Sequence, residues 1–74
     1  MIAVWVLLRI DGPVNPDNTL VFTSVEAAMT VLPGVTEWQP GAEGHWCVRG
    51  TPWGDWDIHE ALLDHVPDWL TRPG

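Results

Sequence analysis

Residues 55–69 read Asp55-Trp56-Asp57-Ile58-His59-Glu60-Ala61-Leu62-Leu63-Asp64-His65-Val66-Pro67-Asp68-Trp69, and the way this stretch folds decides the class of the whole chain. Projected onto a helix at about 100° per residue, Ile58, Ala61, Leu62, Val66 and Trp69 share one sector, while Asp57, Glu60, Asp64 and Asp68 fall in an adjoining sector of roughly 80°. The spacing predicts an amphipathic helix whose outer ridge is acidic. Pro67 pushes the residue before it out of the α region, so Asp68 and Trp69 belong to a separate turn. Trp56-Asp57-Ile58-His59-Glu60 also alternates apolar with polar, which makes a fifth strand the alternative.

Working outward, Val35 to Gln39 and His45 to Arg49 are β-prone runs separated by Pro40-Gly41-Ala42-Glu43-Gly44, a hairpin pattern. On the later strand Trp46 and Val48 share one face, with His45, Cys47 and Arg49 on the other. Gly50 to Gly54 is a turn-rich link. Further upstream, Thr23-Ser24-Val25-Glu26 has the spacing of a capping box, and Val25, Ala28, Met29 and Leu32 place a narrow apolar stripe on the helix that follows, until Pro33-Gly34 stops it.

At the start of the chain, Ile2-Ala3-Val4-Trp5-Val6-Leu7-Leu8-Arg9-Ile10 is too apolar for an edge and fits a central strand. Its even residues, Ile2, Val4, Val6, Leu8 and Ile10, form a wholly apolar face, and Ala3, Trp5, Leu7 and Arg9 a mixed one. Asp11-Gly12-Pro13 ends this strand, a connection runs to Asn18, and Thr19-Leu20-Val21-Phe22 returns antiparallel. The elements therefore predict an α+β fold in two layers, ββαββα: a four-stranded, mainly antiparallel sheet with the helices packed on it, in a single domain over residues 1–74.

A chain of 74 residues buries only about 60% of the surface its unfolded form exposes, so its core is thin. A single cysteine, Cys47, cannot form an internal bridge. Six tryptophans, Trp5, Trp38, Trp46, Trp53, Trp56 and Trp69, supply the missing apolar area at roughly 150–250 Å² each. A second copy of the chain is the other source of burial, which makes a homodimer one expected state, with Ile2 to Ile10 or the tryptophan-bearing hairpin at the contact.

Ten acids against three arginines and no lysine give a net charge of −7. Direct nucleic-acid binding is disfavoured, because affinity for a polyanion rests on Lys and Arg displacing counterions. No apolar run approaches the roughly 20 residues that span a bilayer, and no secretory signal opens the chain, so the expectation is a cytoplasmic protein without membrane contact. The absence of lysine and tyrosine beside abundant Trp, Gly, Pro and Ala points to GC-rich coding, hence a bacterium or its phage.

Few constellations carry chemistry. His45-x-Cys47 lies on one strand face, yet zinc needs two further placed ligands, and His59 and His65 point to different sides of a helix. No phosphate-binding glycine loop or serine-centred elbow occurs, and no family pattern surrounds Cys47. A non-enzymatic protein with no metal or cofactor is the expectation.

Asp55, Asp57, Glu60, Asp64 and Asp68 fall within fourteen residues with no intervening base, Asp55 doubling as a helix cap. On a helix these carboxylates recur along a ridge about 10 Å long from Asp57 to Asp64, imitating a run of phosphates. They are the candidate contact for a basic surface of another macromolecule, such as a nucleic-acid-binding protein that this chain would inhibit. Size and charge are similar to those of small acidic phage inhibitors of restriction or CRISPR complexes, a likeness of composition that rests on no motif. As the alternative, Trp53 and Trp56, flanking Gly54-Asp55, form an aromatic platform for sugars, prolines or quaternary amines.

Overall fold

The computed structural model describes residues 2–13, 15–42 and 44–71, with Thr71 described by its backbone alone. Glu43 and Arg72 lie outside the described residues. The elements run β1 (Ile2–Arg9), a 3₁₀ turn (Pro16–Asn18), β2 (Thr19–Phe22), α1 (Val25–Met29), β3 (Gln39–Pro40), β4 (His45–Thr51), β5 (Gly54–Leu63) and α2 (Asp68–Thr71). The five strands form one sheet in the order β2-β1-β5-β4-β3, antiparallel at every pairing.

This corrects the ββαββα expectation. The stretch expected to be a closing helix is β5, the longest strand, and it sits inside the sheet between β1 and β4. Its apolar residues satisfy either period locally, so long-range pairing decides. As a strand it meets β1 over eight residue pairs, from Ile2 opposite Leu63 to Arg9 opposite Trp56. Trp56 and Ile58 then point the same way and oppose Val48 and Trp46 of β4. Without it, β1 would lack a partner along one whole edge. The two helices are short, so the covering layer is mostly loop rather than helix.

The turn that delivers β5 is local chemistry. Thr51 and Gly54 close a two-residue hairpin around Pro52-Trp53. The Thr51 hydroxyl donates to the Gly54 carbonyl at 2.6 Å and accepts from the Trp53 amide at 3.0 Å. Gly54 has φ 103°, and a Cβ there would lie 2.6 Å from Arg9 Nε and 2.7 Å from Asp11 Oδ1, so only glycine fits. Just upstream, Gly50 at φ 69° accommodates the register shift between Val48 and Thr51.

The core lies on one side of the sheet. Leu7 and Ile58 are fully buried, directly opposite each other at the centre, with Val48 and Trp56 beside them. α1 lays Ala28 against this face, and the loop after it adds Leu32 and Trp38, whose indole donates to the Met29 carbonyl at 3.2 Å. The N-cap of α1 is Ser24, one residue after the threonine of the expected capping box, and its hydroxyl accepts from the Ala27 amide at 3.1 Å.

The core face of β1 is thus the mixed one, carrying Trp5 and Leu7. Among the described residues no layer covers the wholly apolar even face: Val4, Val6 and Leu8 are half-buried between strands, and Ile2 and Ile10 are exposed. Its β5 neighbours explain why. Val6 sits opposite His59 and Leu8 opposite Asp57, polar groups that a dry core would leave without water.

Candidate interaction surface

With residues 54–63 extended, successive side chains of β5 go to opposite faces, and the acidic ridge expected of a helix does not form. Asp55 and Asp57 lie on the open face. Glu60 projects on the core side of the sheet but beyond the core, where it is exposed. Asp64 follows the strand at φ 58°, and Asp68 begins α2. Asp55 sits at the Gly54 end of β5, about 30 Å of strand from Asp64, so the five carboxylates spread along the strand and over both its faces, and only Glu60, Asp64 and Asp68 lie at or beyond its far end, the acidic limb of the molecule.

Their environments differ. Asp55 is a structural bridge, not a helix cap: Oδ1 accepts from the Gly50 amide at 2.7 Å, and Oδ2 stands 3.9 Å from Arg49. It thereby pins the bulge of β4 to β5. Asp57 is three-quarters covered and faces two imidazoles, His59 Nδ1 at 3.4 Å and His45 Nδ1 at 3.8 Å. The two rings stack with centroids 5.6 Å apart, because His45 and His59 are a cross-strand pair. Cys47, half-buried, lies opposite Asp57 on the same face. Among the described residues no group of three or more His, Cys, Asp and Glu could hold a metal ion.

The sequence had placed His45 with Cys47 but had put His59 on a helix. Only the strand alternation brings His59 and Asp57 to one face, and only strand order brings them to His45. Arg9 Nε donates to Asp11 Oδ1 at 2.8 Å, and this hydrogen bond, aided by the Asp55 backbone, holds the Asp11 carboxyl below the usual carboxylate range.

Trp53 and Trp56 do not present a joint platform. Trp56 is 6% exposed and belongs to the core, its indole donating to the Trp53 carbonyl at 3.0 Å. Trp53 is exposed, but its own indole is held by the Pro33 carbonyl at 3.2 Å. Two shallow depressions, of ≈ 250 and ≈ 420 Å³, border Gly34 to Thr36, and among the described residues their ionisable lining is Glu37 and Arg49. No helix among the described residues is long and apolar enough to cross a membrane.

Comparisons with protein-family models, with curated proteins and with solved structures find no match to this chain.

Proposed function

We propose that the protein is a small non-enzymatic binding protein whose acidic limb engages a basic surface of another macromolecule. The observation that carries this is how little positive charge remains to offset the acids. Ten acids meet three arginines, and the two arginines among the described residues are each engaged within the chain, Arg9 by Asp11 at 2.8 Å and Arg49 by Asp55 at 3.9 Å. A surface so unbalanced attracts cationic partners and accelerates encounter with them at low salt.

The shape of the limb refines the expected mode of contact. Asp57 on one face and Glu60 on the other, with Asp64 and Asp68 beyond, let a basic groove meet carboxylates from both sides of an extended strand. The contact is a charged limb entering a groove, in place of a helical row of phosphate mimics. A groove that ordinarily holds nucleic acid has suitable charge, so inhibition by occupancy is the functional outcome.

The test is affinity capture from the native cell at low salt, with recovered proteins identified by mass spectrometry. The expected partners have basic contact surfaces and elute as salt rises. They are lost when Asp57→Asn, Glu60→Gln, Asp64→Asn and Asp68→Asn are combined in a chain that still folds. Partners with acidic or neutral contact surfaces, or capture unaffected by the four substitutions, would refute the proposal.

A further inference from the structure

The sheet is uneven in length. β2 ends at Phe22, opposite Trp5, and β4 begins at His45, opposite His59. Beyond those rows, Ile2, Ala3 and Val4 pair only with Leu63, Leu62 and Ala61, so the central strand pair β1–β5 outruns its neighbours as a two-stranded ribbon. The molecule is correspondingly elongated, at 46 × 24 × 22 Å.

This ribbon has unusual chemistry for a projecting element. Of the nine large apolar side chains exposed among the described residues, six lie on the ribbon or the arm that follows it: Ile2 at 63%, Leu62 at 42%, Leu63 at 48%, Val66 at 55%, Trp69 at 73% and Leu70 at 59%. Leu63 and Ile2 face one side and Leu62 the other, so both surfaces are apolar. Together these side chains expose about 600 Å² of apolar area, taking tryptophan at its full ~250 Å². This area is divided between the two faces of the ribbon and the arm beyond it. Covered from both sides, it matches the ~600 Å² per partner at the low end of specific interfaces, the range of a weak dimer.

The edge adds direction. No strand among the described residues pairs with the outer side of Ile2 to Val4. β1 carries no charge from Ile2 through Leu8, and no proline, so neither charge nor proline blocks pairing along this three-residue edge. Two identical edges running antiparallel satisfy a twofold axis, and such a contact is self-complementary. The outer edge of β5 left unpaired beyond His59 begins one row earlier, with charged Glu60, and is the poorer edge.

We infer that a second copy of this chain docks here, the two Ile2–Val4 edges pairing antiparallel and the arms through Leu70 packing across the junction. This goes beyond the acidic-limb proposal and opposes it in salt dependence. The dimer gathers Glu60, Asp64 and Asp68 of both chains, so salt strengthens self-association by screening like charges, whereas it weakens capture of a basic partner.

Sedimentation equilibrium of the full chain, at concentrations up to about 500 μM, gives the test. The expected result is a monomer–dimer equilibrium whose dimer fraction rises between about 50 and 500 mM salt. Ile2→Asp and Leu63→Asp, at side chains already exposed, should keep the monomer's circular dichroism and weaken dimerisation at least ~100-fold by placing like charges in the contact. A monomer at every salt, an open-ended polymer, or dimerisation undiminished in both variants overturns the inference. None of these outcomes bears on whether the acidic limb captures a basic partner, which is measured separately at low salt.

Discussion

Replacing Ile58 with alanine tests the assignment of β5 to the sheet centre. Ile58 has no exposed surface, and it stands opposite Leu7 on one side and Trp46 on the other. Both neighbours belong to hydrogen-bonded strands, so the site collapses little around the lost atoms. Truncations of this kind cost about 2–5 kcal/mol, and rigid surroundings place Ile58→Ala at about 3. A domain of this length has about 4–11 kcal/mol in all, so the substitution removes a large share. With a urea slope near ~1 kcal/mol/M, the midpoint should fall by about 3 M at unchanged slope. Val21→Ala, on the exposed outer strand, should change stability by less than ~0.5 kcal/mol and serves as the reference. An Ile58→Ala midpoint within about 0.5 M of the parent would refute the placement of this residue in the core.

Three further expectations follow from the same geometry. Gly54→Ala should destabilise by roughly 1–3 kcal/mol, read from urea midpoints, because a methyl at φ 103° meets Arg9 and Asp11. Asp11 has its folded-state pKa lowered by Arg9, so its stabilising effect is present above the ordinary carboxylate range and fades as pH falls through the lowered value. The midpoints of the parent and Asp11→Asn should accordingly differ near neutrality and converge in acid. In dilute, low-salt solution, acrylamide should quench Trp69 and Trp53 readily and Trp56 and Trp38 weakly, so Trp69→Phe should remove the most accessible emission.

Much of the chain was legible locally. β2 at Thr19–Phe22 is bounded by turn formers and β-prone throughout, α1 carries a capping pattern one residue from its true cap but stops at Met29, short of Leu32, and the β3–β4 hairpin forms although its first strand is only Gln39–Pro40 and the expected strand from Val35 is irregular up to Trp38. Residues 54–63 were not, for a definite reason. Ile58 and Leu62 serve a helix at i, i+4 and a strand at i, i+4 alike, and the deciding partners, β1 and β4, are distant in sequence. The side of β1 that packs was likewise hidden. An all-aliphatic face looks like a core face until strand order sets Asp57 and His59 beside it. The same ambiguity governed the site: five carboxylates close in sequence become a ridge on a helix but spread over two faces on a strand. Trp53 and Trp56 look equivalent in sequence, yet alternation buries one and turns the other outward.

Every placement of the acidic limb and the ribbon depends on residues 54–63 being a central strand. Nuclear Overhauser contacts in the isotope-labelled chain test that directly. Backbone cross-strand contacts are expected from His59 to both Val6 and His45, and from Ile58 to both Leu7 and Trp46. Contacts between residues three and four apart along 57–66, with none across to β1 and β4, would contradict it.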